Sequence, residues 1–177
     1  MRCFGEGDPL YERYHDTEWG RPQTSERALY EKVCLEGFQA GLAWITVLRK
    51  REALREVFLG FDPVRVAELD VTPLLQDARL IRARAKLQAC VTNARATLAL
   101  EGGLPDLVWS YRDDSVRQPV PASTEGSAAL AKDLKKRGFV FVGPTTAYSL
   151  MQAVGVVNDH ALTCEVRDEV ERLRAAL

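Results

Sequence analysis

Leu35-Glu36-Gly37-Phe38-Gln39-Ala40-Gly41-Leu42-Ala43-Trp44-Ile45-Thr46-Val47-Leu48-Arg49-Lys50-Arg51 sets an acid, two glycines and a tryptophan among apolar side chains. A helix approaching it from about Ser25 carries Leu29 and Val33 on one face. At about 100° per residue, Glu36 falls on that same face. A carboxylate on an apolar stripe is paired, protonated or waiting for a ligand, because burying it alone is costly. Gly37 and Gly41 suit a helix break and close approach of the backbone to another group. Trp44, Val47 and Leu48 then restart a helical period, which runs into the basic Arg49-Lys50-Arg51. The stretch reads as two helices joined by a tight turn, with an acid and an aromatic facing one cavity. An ordinary core corner, in which Glu36 bonds a backbone amide, fits the same spacing.

Helical punctuation repeats on both sides of this corner. Ser25 suits an N-cap for the helix ending at Glu36, and a second helix is expected over 42–59. Asp62-Pro63 and Thr72-Pro73 each place a cap before a proline, opening helices expected to reach 69 and 78. Leu87, Val91, Ala94 and Leu98 form the stripe of a helix over 83–100, stopped by Gly102-Gly103. Shorter helices are expected over 105–111, 125–137 and 145–154, and a last one over 159–176. Strand alternation is nearly absent, and the β-rich Phe139–Val142 has no second strand to pair with. The fold class is therefore all-α. The 177 residues make a single domain with a core of its own the simplest organisation.

No apolar run approaches the roughly 20 residues of a membrane span. The opening Met1–Asp8 has no apolar segment of secretory type. Both point to the cytoplasm. The net charge of −1 does not announce a nucleic-acid binder, but its distribution is uneven. Between Arg79 and Leu100 stand Arg79, Arg82, Arg84, Lys86 and Arg95 with no acid, and further basic runs occur at 49–51 and 135–137. Each suits a solvated helix face or a phosphate contact. The segment 73–100, a short helix, a turn and a long helix, has a helix-hairpin-helix layout. Such a turn can aim backbone amides at a phosphate, and a plain helical hairpin has the same layout.

The four cysteines divide into two kinds. Cys34 and Cys90 sit in apolar helical patterns and read as small buried hydrophobes. Cys3 travels with His15, and His160 with Cys164, so both histidines of the chain lie near its terminal cysteines. His160 and Cys164, four residues apart, would share one face of a helix. Two thiolates and two imidazoles complete a closed tetrahedral zinc shell of structural type. Four unrelated residues remain the alternative.

The chain resembles the 3-methyladenine DNA glycosylase I family, within the helix-hairpin-helix DNA glycosylase superfamily. The resemblance rests on Asp8–Tyr11, Tyr14–Gly20, Cys34–Leu48, Lys135–Gly143, Tyr148-Ser149, Met151–Ala153 and Asn158–His160, which recur in order along nearly the whole chain. It implies hydrolytic excision of 3-methyladenine from double-stranded alkylated DNA, with free 3-methyladenine as product. It further implies a monomeric bacterial enzyme of the cytoplasm and nucleoid. It makes Cys3, His15, His160 and Cys164 ligands of one structural zinc, and Glu36 the base-recognising acid. Tyr14, Trp44, Trp19 and Phe4 would line the pocket. Gly41 and Leu42 would enter the DNA, and Arg82, Arg84 and Lys86 would meet its phosphates. The chain departs from the family pattern in the hairpin turn, where Arg79 and Ala85 stand at positions usually held by glycine. Two other classes fit the residues: a glycosylase/lyase using Lys86 as a Schiff-base amine, and a non-catalytic, zinc-stapled DNA-binding module.

Overall fold

Short polar side chains and prolines start the helices of this chain. In the computed structural model, which describes residues 1–177, Asp8 accepts from the amides of Leu10 and Tyr11 to open α1 (Pro9–Thr17). Ser25 accepts from Ala28 to open α2 (Glu26–Gln39), and Asp62 accepts from Val64 at α4 (Pro63–Val66). A capping box of Thr124 and Ser127 begins α7 (Glu125–Lys136). The remaining helices are α3 (Trp44–Val57), α5 (Arg84–Leu98), α6 (Gly103–Trp109), α8 (Pro144–Ala153) and α9 (Arg167–Ala175). A single 3₁₀ turn spans Pro73–Gln76. No strand forms, and no helix is long and apolar enough to cross a membrane.

The centre of the molecule is α2. Leu29, Tyr30, Val33, Cys34, Leu35 and Phe38 are buried, and so are Lys32 and Glu36. Helices α3, α5, α6 and α8 pack around it, and α7 backs α8. Its C-terminal half is enclosed on nearly all sides, so the two charged side chains buried there, Lys32 and Glu36, must be matched inside the protein or by a ligand.

Several expectations need correction. Gly37 does not break α2, which continues to Gln39; the break lies at 40–43, where Gly41 has φ +78°. Gly37 instead supplies the close approach, because a Cβ there would lie 3.3 Å from that of Phe141. The helix expected over 42–59 is α3, which ends at Val57, and the one expected to reach 69 is α4, which ends at Val66. Thr72 makes no side-chain cap to the 3₁₀ turn that stands in place of the helix expected to reach 78. Gly102 and Gly103 both have positive φ but do not stop the long helix, which ends at Leu98 with Ala99 as its cap; Gly102 instead caps the start of α6. The last helix starts at Arg167, so His160 and Cys164 lie in consecutive turns and share no helix face. The cause is local. The Arg167 guanidinium donates to the carbonyls of Asn158 and His160, and the Cys164 amide turns back to Ala161 at 2.9 Å.

Candidate active site

Glu36 enters the site from the last turn of α2. Its Oε2 is buried with no hydrogen-bond partner, so the core-corner reading, in which a backbone amide satisfies it, is not what the fold provides. Burial pushes its carboxyl up to about 7, with the charge of Lys32 opposing. Beside it lies a cavity of about 180 Å³. One wall is aromatic: Phe4, Tyr11, Tyr14, Trp19 and Trp44. The other is polar: Gln39 and, from α8, Ser149 and Gln152. The Tyr14 and Trp44 ring centroids are 5.3 Å apart, and Phe4 stands 4.9 Å from both Tyr11 and Trp19. The indole Nε1 of Trp44 is also buried without a partner. An unmatched acceptor and an unmatched donor at one cavity leave room for a flat polar ring. The fold therefore brings Glu36, Tyr14, Trp44, Trp19 and Phe4 together.

Gln39 and Ser149 also line a neighbouring cavity, again about 180 Å³, which shares Glu36 and opens beside Gly41 and Leu42. Leu42 is 38% exposed at the tip of the 40–43 turn, held by its amide donating to Gln39. Lys86 stands behind this turn. Its ammonium donates to the carbonyls of Phe38 at 2.9 Å and Ala40 at 2.5 Å, closing the C-terminal end of α2. Lys86 lines neither cavity. Arg82 and Arg84 are exposed. The other basic runs are partly spent on the protein itself. Arg49 pairs with Asp8, Lys50 donates to the carbonyl of Arg79, and Arg51 bridges Glu18 and Glu31.

Cys3, His15, His160 and Cys164 form a cluster whose ligand atoms all lie within 4.8 Å of one another. Cys164 Sγ is 3.5 Å from His15 Nε2 and 3.4 Å from His160 Nδ1, and Cys3 Sγ is 3.5 Å from the latter. A tetrahedron with metal bonds of about 2.0–2.3 Å has edges of roughly 3.6 Å. The outer nitrogens are also engaged: His15 Nδ1 lies 2.8 Å from Asp16 and His160 Nε2 lies 3.1 Å from the carbonyl of Trp19. That arrangement fixes the ring nitrogens that face the sulfurs. The donor set thus fits a metal. Trp19 connects it to the cavity, with its ring 4.5 Å from that of His160 and 4.9 Å from Phe4.

Reading by sequence gives no site role to Gln39, Ser149, Gln152 or Lys32, all of which the structure places at the cavity or directly behind it. Lys32 carried a usable signal, since it lies four residues before Glu36 on the same stripe. Gln152 carried none: its place depends on Asp159, a buried acid that accepts from both Tyr148 and Gln152.

A family model described as methyladenine glycosylase matches residues 4–168. DNA-3-methyladenine glycosylase 1 of Escherichia coli (strain K12) is 55% identical over 170 residues, which cover 89% of this chain and 91% of that one. A crystal structure of a 3-methyladenine DNA glycosylase I superposes with a TM-score of 0.90 at 51% identity, covering 93% of this chain and 98% of the other. The Staphylococcus aureus 3-methyladenine DNA glycosylase I, solved for the structural basis of its 3-methyladenine recognition, gives a TM-score of 0.88. It is 33% identical, with 93% and 94% covered.

Proposed function

The chain belongs to the methyladenine glycosylase family, and from that membership we propose how it works as a DNA-3-methyladenine glycosylase I. It releases 3-methyladenine from alkylated DNA by hydrolysing the N-glycosidic bond. The observation that carries this reading is a buried carboxylate without a partner, Glu36, at the edge of an aromatic-walled cavity. Methylation at N3 gives the adenine a positive charge while it is still attached to the sugar. The faces of Tyr14 and Trp44 attract such a ring by about 0.5–2 kcal/mol per favourable contact. Glu36 accepts from the adenine edge and complements the charge. A cation beside it favours ionisation, so binding completes the deprotonation that burial resists. An undamaged adenine is neutral and gains neither contact. The base must first leave the stack, and Leu42 on the Gly41 turn is placed to fill the space behind it. When the C1′–N9 bond breaks, its electron pair passes to the base and cancels the cation. Water bonds to C1′ and releases a proton.

In this reading Phe4 and Trp19 close the rim of the pocket, Arg82 and Arg84 meet phosphates, and Lys86 acts by holding the 40–43 turn. With its ammonium bound to two carbonyls and outside both cavities, Lys86 is poorly placed as a lyase amine. We assign zinc to the Cys3, His15, His160 and Cys164 cluster, as a structural ion joining the two ends of the chain. The segment 73–100 serves as the helix-hairpin-helix of a single domain spanning 1–177. The enzyme acts as a monomer on duplex DNA, in the bacterial cytoplasm at the nucleoid. Chromatography of bases released from methylated duplex DNA tests the reading. Free 3-methyladenine is expected, with no borohydride-trapped adduct. Release of no base would leave a DNA-binding module.

A further inference from the structure

Lys32 is buried to 3% exposure in α2, one helical turn before Glu36. Its ammonium lies 4.8 Å from the ring centroid of Tyr14 and 5.6 Å from that of Trp44, the two aromatics that line the cavity beside Glu36. It forms an ion pair with Glu18, which also accepts from Arg51 at 2.6 Å. A cation in such a place works against the attraction of these rings for a cationic base. Its burial there needs a compensating gain. Side chains four apart on a helix are neighbours, so this charge reaches Glu36 through low-dielectric surroundings. Resting on the functional reading above, we infer that Lys32 is a positioning residue for excision, whose buried charge behind Tyr14 and Trp44 favours the ionised form of Glu36 that the cationic base needs.

The groups around Glu36 leave this part to Lys32. From α1 it meets the phenols of Tyr11 and Tyr14, neutral at physiological pH, and their hydroxyls are held further from ionisation by burial first and then by Glu36 itself. From α3 it meets Trp44, and from α8 Ser149 and Gln152, none of which carries charge. Lys32 is the one charged neighbour acting on the Glu36 carboxyl, and it acts against burial. Lys32 is itself pulled down by burial, with Glu18 restoring it and Arg51 opposing. Burial pushes Glu18 up, but Lys32 and Arg51 together hold it at about 2. The row Glu36, Lys32, Glu18, Arg51, Glu31 thus alternates in charge from the cavity outward.

The experiment follows the titration of Glu36 by carboxyl ¹³C NMR in wild type, Lys32→Met and Lys32→Arg, with Glu36→Gln assigning the signal. In parallel, excision is measured against pH on a duplex bearing one 3-methyladenine, whose charge in DNA is fixed. Lys32→Met is expected to raise the midpoint by about one unit or more. Its acid limb of excision should move up equally, so that activity lost near neutrality returns at about pH 8.5. Lys32→Arg should stay close to wild type. Should Lys32→Met fail to fold with Glu18 exposed to the loss, the double variant Lys32→Met/Glu18→Gln carries the same measurement. An unmoved midpoint, or a rate lowered equally at every pH, overturns the part given to Lys32 alone. Normal excision by Glu36→Gln overturns the reading of Glu36 as well.

Discussion

Glu36 combines a charge requirement with a site that resists charge. Its carboxyl is pushed up to about 7 by burial, while an unfolded glutamate titrates at about 4.3. The folded protein therefore holds a proton that the unfolded chain has lost between these values, and stability falls as pH rises through that window. Glu36→Gln removes the effect. Its stability should stay within about 1 kcal/mol of wild type or exceed it, with the difference larger at pH 8 than at pH 5. Urea denaturation at the two pH values checks this; a severe loss at both would reveal a structural partner for Glu36. Trp44→Ala should weaken binding of 3-methyladenine by about 1–3 kcal/mol, read by calorimetry on the folded fraction, and normal affinity would return Trp44 to the core. Glu36 and Trp44 are legible as an acid and an aromatic flanking a glycine turn, whereas the place of Tyr14 rests on the family resemblance. Lys32 shares the stripe of Glu36, but lysines are usually at the surface, and its enclosure by Tyr14, Trp44 and Glu18 decides its place. Gln152 and Ser149 were unreadable, since α8 reaches the cavity through packing alone.

At the scale of elements, the site depends on how α2 ends. The helices themselves are evident from caps and periodicity, and Ser25 and Asp62 mark real helix starts. The error at Gly37 has a clear origin. A glycine can serve a break or a close approach, and tertiary contact with Phe141 decided for the second. The hairpin of 73–100 shows a related effect. Lys86 reads as a phosphate contact by sequence, yet its ammonium closes the carbonyl end of α2. Lys86→Met should therefore cost about 1 kcal/mol of stability, discounted for its solvent exposure, and loosen the 40–43 turn, visible as faster amide exchange there. Arg82 and Arg84, exposed on the same hairpin, should carry the ionic part of DNA binding. The double change of both to Gln is expected to reduce the slope of log affinity against log salt by about two. An unchanged slope would remove them from the DNA face.

The molecule as a whole is closed by its ends. Cys3 and His15 meet His160 and Cys164 across almost the full chain, and Arg174 fastens α9 by donating to the carbonyls of Gly155, Val156 and Asp113. The cysteine–histidine pairing was visible in the sequence as composition, but its turn geometry and the buried Arg174 depend on the assembled fold. With zinc bound as proposed, Cys164→Ala should lose it and cost about 3 kcal/mol or more, because the ion would tie a long loop. Elemental analysis and thermal denaturation read this, and far less than one zinc per wild-type chain would contradict it. Gly20→Ala should act similarly at a distance in sequence, since its Cβ would lie 2.9 Å from His160 Nε2 at φ +78°. This frame holds Trp19 and Phe4 against the cavity, and thus positions the aromatic wall that faces Glu36. The most direct test of the whole account is single-turnover excision from a duplex with one 3-methyladenine, comparing wild type with Glu36→Gln. Release of free 3-methyladenine by the wild type and a markedly slower release by a fully folded Glu36→Gln is the expected result; equal rates for the two proteins would contradict it.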